Sequence, residues 1–246
     1  MIYREIKADG FLENFIQCFW YYENDDGNVV HTIMPDGYFD LLIVFVEEKL
    51  ESVKLTGIWT QPKHIEVLKN TKYFGIRFKL IAAEYIFKRE LTTILNEMKE
   101  LSHEFWSINT YKSVEFEKFY KNTTDSIRNS LKQLDKIDKK KLELFNLSYQ
   151  NEVKSVSKIS EEISWSSRQI NRYFNSQYGF SLKEFLNIVR FESHYKSISN
   201  GEIQPDGDYF DQSHFIKEVK KYSGTTPKEL YKNEDDRFLQ LITVKK

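Results

Sequence analysis

Ser166-Ser-Arg-Gln-Ile-Asn-Arg-Tyr-Phe174, running on to Gly179-Phe-Ser-Leu-Lys-Glu-Phe185, is matched forty-five residues later by a second stretch of the same design. There Asp211-Gln-Ser-His-Phe-Ile-Lys-Glu-Val219 runs on to Gly224-Thr-Thr-Pro-Lys-Glu-Leu230. In that register Ile170 falls on Phe215, Phe174 on Val219, Gly179 on Gly224 and Lys183-Glu184 on Lys228-Glu229. Each copy holds a polar helix, a glycine stop and a capped apolar helix, so the pair reads as one helical supersecondary unit used twice. The local signals agree. Ser166 with Gln169, Ser181 with Glu184 and Thr226 with Glu229 have capping-box spacing, and Pro227 sits at a first helical position, where its missing N–H is no loss. Gly179 suits a left-handed helix stop. Upstream, Val156, Ile159 and Ile163 at i, i+3 and i+7 mark a short scaffold helix.

The chemistry lies on the polar helices. Between Ser167 and Gln177 the apolar Ile170 and Phe174, with Tyr173, face inward, which leaves Arg168, Gln169, Asn171, Arg172 and Asn175 outward without one acid among them. Arg bonds guanine bidentately, and Asn or Gln does the same for adenine. The N-terminal residues of a recognition helix are the ones that reach base edges. Taken alone, such a face is more often a solvated helix surface; the repeat and the caps reverse that preference towards DNA reading.

At this point the residues resemble a known family. Ser166 through Tyr178-Gly-Phe-Ser181 is similar to the first helix-turn-helix of AraC-type transcription regulators. Tyr209-Phe-Asp-Gln-Ser-His-Phe215 followed by Tyr222-Ser-Gly-Thr-Thr-Pro-Lys-Glu-Leu230 is similar to the second. The resemblance covers roughly residues 136–233. It implies base readers at Arg168, Asn171 and Arg172 in the first unit and at Gln212, Ser213 and Lys217 in the second (about 212–222), with His214 beside them. It also implies a structural or phosphate-contact role for Arg190. Two departures stand out: Ser164 replaces the usual turn glycine, and Gly201-Glu-Ile-Gln-Pro-Asp-Gly-Asp208 breaks the second scaffold helix. Asp206, Asp208 and Asp211 would repel phosphate, so the first unit is expected to carry most of the specificity.

Working outward, the first eighty residues read as short strands: Phe15–Tyr22, Leu41–Val46, Val53–Ile58 and Tyr73–Phe78, with turns at Asn24-Asp-Asp-Gly27 and Pro35-Asp-Gly37. Short strands at this spacing predict a small barrel or sandwich. Helical spacing follows at Ile81, Tyr85 and Ile86, then at Leu91, Ile94, Leu95 and Met98, and over Val114–Leu134. Met34-Pro-Asp-Gly37 and Phe74-Gly-Ile-Arg-Phe78 resemble the cupin-like sensor domains of the same family, which implies a small-molecule effector or dimerisation. Asp36, Arg77 and Trp59 are the candidate effector residues; Asp36 and Arg77 are equally placed for a structural ion pair. Tyr111–Leu134 is the candidate homodimer surface if its apolar stripe is exposed, and intramolecular packing is the alternative.

Composition sets the limits. Hydrophobic residues make 40% and charged residues 30% of 246, as in a globular protein, and no apolar run reaches membrane-spanning length. One cysteine, Cys18 in an aromatic run, excludes an intrachain disulfide. His31, His64 and His103 are far apart, so neither a metal nor a cofactor is expected and an enzyme is not. Net charge is −1; from Asp135 onward 19 Lys and Arg face 17 Asp and Glu, so DNA binding must rest on locally placed cations.

The expectation is therefore an α+β chain. A small β-barrel, cupin-like sensor with following helices spans 1–134, and an all-α double helix-turn-helix unit spans 135–246. It would act as a cytoplasmic bacterial transcription regulator, binding double-stranded DNA in successive major-groove segments about 34 Å apart. An effector is one partner, and RNA polymerase is another if the protein activates. The rival is a small-molecule-binding or protein-interaction protein whose helical region has lost DNA affinity. The near-neutral charge and broken scaffold favour that rival, while the intact first unit favours DNA. A catalytic cupin would need a bound metal.

Overall fold

The computed structural model describes residues 1–134, 137–150, 155–203 and 211–243. Its β part holds eight strands: β1 (Ile2–Lys7), β2 (Ile16–Asn24), β3 (Val29–Ile33), β4 (Phe39–Val46), β5 (Lys49–Thr56), β6 (Lys63–Val67), β7 (Thr71–Phe78) and β8 (Met98–Leu101). Six form one antiparallel sheet in the order β1-β2-β7-β4-β5-β8; β3 and β6 form a second, two-stranded sheet. The expected barrel is not formed: β1 and β8 remain edges of the large sheet, and the small sheet lies against it without joining it.

Alternation gives the large sheet two buried faces. On one face Phe19, Tyr21, Leu41, Ile43, Val53, Leu55, Phe74 and Ile76 enter the main core; on the other Cys18, Trp20 and Tyr22 pack with Val67 and Ile65 of the small sheet. Burial on both faces explains why β2 and β4 read as near-continuous apolar runs.

The first face is covered by α2 (Phe116–Lys132), whose Phe116, Phe119, Ile127 and Leu131 are buried. The rings of Phe116 and Phe119 lie 5.4 and 5.5 Å from that of Phe74. For 111–134 this is the intramolecular packing given as the alternative to a homodimer surface. The apolar stripe is spent inside the chain, and the outward side is polar: Glu117, Lys118, Lys121 and Asp125.

A second correction concerns Leu91–Met98. Only α1 (Ala82–Tyr85) is helical in that region; Thr92–Ile94 is a 3₁₀ turn and Met98 opens β8. Tertiary bonds override the helical spacing, since Gly57 N–H donates to Glu97 O and Asn96 N–H to Ile58 O. Gly57 is required here, because a Cβ would lie 1.7 Å from Ile94 O.

The remaining helices are α3 (Lys139–Ser148), α4 (Val156–Glu162), α5 (Ser167–Tyr178), α6 (Leu182–Ser193), α7 (Tyr195–Ser199), α8 (Gln212–Ser223), α9 (Pro227–Lys232) and α10 (Leu239–Thr243). Lys139–Lys141 begin α3, capped by Asp138. Helix α6 sits between two cores. Leu182, Phe185, Leu186 and Val189 join the main core, whereas Ile188 and Phe191 join a second with Tyr195, Phe215, Val219, Tyr222, Leu230 and Leu241. Met34 is also part of that second core, although it lies 148 residues before the first residue of α6, Leu182.

Candidate nucleic-acid interface and ligand cavity

The repeat appears as two geometrically matched units. In α5 the Ser166 hydroxyl accepts from Gln169 N–H, the capping box is complete, and Gly179 ends the helix at φ 83°. In α8 the Asp211 carboxylate accepts from His214 N–H, and Gly224 ends the helix at φ 75°. Capped helices follow both: Ser181 opens α6 and Thr226 opens α9 with its own box. At the α4–α5 bend Ser164 takes φ 50°, the left-handed conformation a glycine would adopt without strain.

The candidate readers divide by their surroundings. Arg168 and Arg172 are exposed, and Asn171 is half-buried. Gln169 is exposed, but its side-chain carbonyl already accepts from Ser166 N–H at 3.0 Å and Ser166 Oγ–H at 2.7 Å. Bidentate adenine recognition needs that oxygen, so Gln169 serves the cap. In α8 Gln212, Ser213, His214 and Lys217 are all exposed. Arg190 is turned inward: its Nη2 donates to both Glu218 oxygens at 2.9 and 2.8 Å, joining α6 to α8, and to Asn187 at 3.2 Å. Its place is structural. Asp206, Asp208 and most of the 201–208 break lie outside the described residues. Asp211 is the cap of α8, and its charge therefore sits at the positive end of the helix dipole.

Both units are fastened to the sheet half. Leu91 N–H and Thr92 Oγ1–H donate to Gln177 O and Ser176 O at 2.8 Å, holding the C-terminal end of α5. Tyr173 OH donates to Glu84 at 3.1 Å. The turn after β3 enters the helical half. Gly37, at φ 81°, fits against Phe185 and Val189, where a Cβ would stand 3.2 and 3.1 Å away. Tyr38 stacks on Tyr149 at 5.1 Å, and Tyr195 OH donates to Pro35 O at 2.6 Å. From the other end, the chain after Asn233 crosses back onto β3. Thr32 N–H donates to Arg237 O at 2.6 Å, and Gln240 exchanges bonds with Met34 at 3.2 and 2.8 Å.

Between the two sheets lies a cavity of about 80 Å³. Trp20, Tyr22, Trp59, Tyr73, Asp40 and Arg77 line it, and Leu239, Gln240 and Thr243 of α10 form part of its wall. Trp59 and Arg77 were expected at a ligand site. Asp36 stands behind, with Oδ2 3.6 Å from Arg77 Nη2, while Asp40 Oδ1 is 3.6 Å from Arg77 Nε. The ion-pair alternative for Asp36 therefore describes the geometry. Burial raises Asp36 to about 6 despite Arg77, and burial also raises Asp40. Asp40 and the α10 residues were missed. Asp40 had a signal, being an acid inside the apolar run of β4 that requires a buried partner; Arg77 is its cross-strand neighbour.

Two other titratable groups report their surroundings. Burial pushes the Cys18 thiol up to about 12, which leaves it a packing residue and no thiolate at neutral pH. His31 is buried, with Nε2 2.8 Å from Tyr22 OH and Nδ1 3.1 Å from Asp236 O; burial lowers its pKa. Among the described residues no group of three or more His, Cys, Asp or Glu could hold a metal, and no helix is long and apolar enough to cross a membrane.

Compared with known proteins, residues 4–99 match a family model described as a domain of unknown function, DUF6597. No curated protein matches the chain. Among solved structures the chain is similar to an apo lysine-to-alanine variant of ToxT from Vibrio cholerae strain SCE256. Identity is 10% and the TM-score 0.41, over 87% of this chain and 96% of that one.

Proposed function

We propose that the protein is an AraC-type transcription regulator that reads double-stranded DNA chiefly with α5 and answers to a small molecule in the cavity between its sheets. It acts by binding and not by catalysis. The observation that supports this most is the exposed N-terminal half of α5, where Arg168 and Arg172 stand clear beside a complete capping box and the inward residues are fully committed to the core. Phosphate contacts would set the register, and Arg168, Asn171 and Arg172 would choose the bases. Helix α8 offers Gln212, Ser213, His214 and Lys217, with only one full cation near its N-terminal end. Its contribution to affinity is the smaller.

Control by a ligand follows from the shared wall. A molecule in the cavity touches Arg77, which holds Asp36 in the turn wedged against α6, and it touches α10, which packs on α7. Both routes end at the helices that orient the readers. A cytoplasmic location belongs to the same reading, as does contact with RNA polymerase if the protein activates.

The test is selection of bound sequences from a random duplex pool at moderate salt, followed by the Arg172→Ala variant on the enriched site. The variant should lose about 1–3 kcal/mol and relax preference at one base pair. No enrichment, with affinity insensitive to salt, would transfer the reading to the interaction-protein alternative.

A further inference from the structure

The cavity's lining is specific in its chemistry. One ring face of Trp20 lies on Gly75, where a Cβ would meet the indole at 2.0 Å, and its Nε1–H donates to Asp40 Oδ1 at 2.9 Å. Tyr73 stacks on Trp20 at 6.4 Å, Tyr22 meets Tyr73 edge-on at 5.9 Å, and Trp59 completes the aromatic lining. The charged side chains on the wall are Asp40 and Arg77, with Asp36 immediately behind Arg77. Two carboxylates therefore face one guanidinium, and neither approach is tight. Both distances are 3.6 Å, beyond hydrogen-bonding range, and Arg77 Nε is buried without a hydrogen-bond acceptor. Two carboxyls thus share one guanidinium, and neither ion pair is closed by a hydrogen bond.

We propose that the cavity takes a small organic cation, a substituted ammonium group on a compact apolar body, held by the rings of Trp20, Tyr22, Trp59 and Tyr73 and by the charge of Asp40. The inference rests on the reading of this cavity as the effector site and names the ligand class. Aromatic faces attract cations through their quadrupoles, most strongly when both are desolvated, and a carboxylate behind the rings adds to that field. An anion would find the one wall cation already flanked by two carboxylates. A neutral hydrocarbon would fill the space and leave the carboxylate charge as it was. Two neighbours bring no positive charge of their own: burial lowers the pKa of His31, and Cys18 stays protonated. Lys63 already sits 5.5 Å from the Trp59 ring centroid, so that ring has one cationic neighbour. Leu239 and Gln240 of α10 close the wall, so an occupant bridges the sheets and the C-terminal segment.

The experiment is a calorimetric titration of the full chain, free of DNA, with choline, with its uncharged isostere bearing a tert-butyl group, and with the corresponding tert-butyl carboxylate. Choline is expected to bind at least about tenfold more tightly than the neutral isostere and to exclude the carboxylate. Asp40→Asn should weaken choline by about tenfold and leave the neutral isostere within about twofold. Should Asp40→Asn not fold, Trp59→Leu must weaken choline more than the isostere. Equal affinity for choline and the isostere, tighter binding of the carboxylate, or no choline binding at tens of millimolar overturns the proposal. None of these readouts involves DNA. Sequence selection can thus succeed while choline fails, which would keep the regulator and discard the cation.

Discussion

Glu192 of α6 lies at the joint between the two halves, and Glu192→Gln gives the sharpest test of how that joint is built. Burial raises its carboxyl to about 7, with the charge of Asp36 pushing the same way and Arg77 opposing. Lys79, Tyr38 and Tyr149 line the same hollow. A folded pKa above the unfolded value of 4.5 means that the native state holds the proton more tightly. Stability from this group is therefore full below pH 4.5 and is lost as pH rises through about 7. The shift corresponds to a ceiling of roughly 3 kcal/mol, and the partial exposure of Glu192 reduces that to about 2. Glutamine keeps the shape without the charge. At pH 8 the variant should be the more stable by about 2 kcal/mol, a rise of roughly 4–8 °C in Tm for a chain of this size. At pH 4 the two proteins should melt together. Calorimetric melts across that range decide the matter. A variant no more stable than the parent at pH 8, or one whose advantage does not change with pH, refutes the account of the joint.

Ser164→Gly should stabilise by about 1 kcal/mol in chemical denaturation, because φ 50° is strained for serine; a loss of stability would show that the Ser164 side chain matters more than its backbone. Met34→Ala should cost about 2–5 kcal/mol and still give a single unfolding transition, since Met34 is fully buried in the core of the second unit. Two separated transitions in the parent would contradict a shared core. Gly75→Ala should cost about 1–3 kcal/mol and alter Trp20 fluorescence, because the new methyl must displace the indole. An unchanged emission spectrum would place the indole elsewhere.

The helical half was legible because its signals are local. Ser166 with Gln169, Thr226 with Glu229 and the two glycine stops each decide a few residues of backbone, and each is found where spacing predicted it. Helix α2 was legible as a helix, but not in its destination, since an amphipathic stripe is the same whether it meets a sheet or a second chain. The turn to β8 was misread because Leu91, Ile94, Leu95 and Met98 have helical spacing, while bonds from Gly57 and Asn96 hold the segment otherwise. For the candidate site, Arg77 and Trp59 were visible as residue types in a sensor-like region. The pairing of Arg237 with Thr32, 205 residues away, had no local trace. The contribution of α10 to the cavity wall was therefore out of reach.

The exchange of segments between the halves has a practical consequence for anyone building hybrids. Two-part proteins are often recombined as if the parts were interchangeable cassettes joined by a tether. Here the turn at Met34–Tyr38 is a plug in the helical half, and the Arg237–Gln240 segment is a clasp on the sheet half. A hybrid cut at residue 134 would leave one socket empty and one clasp without its strand. A graft that respects this architecture must carry the plug with its socket and the clasp with β3, so the transferable piece is a pair of matched joints and not a stretch of contiguous chain.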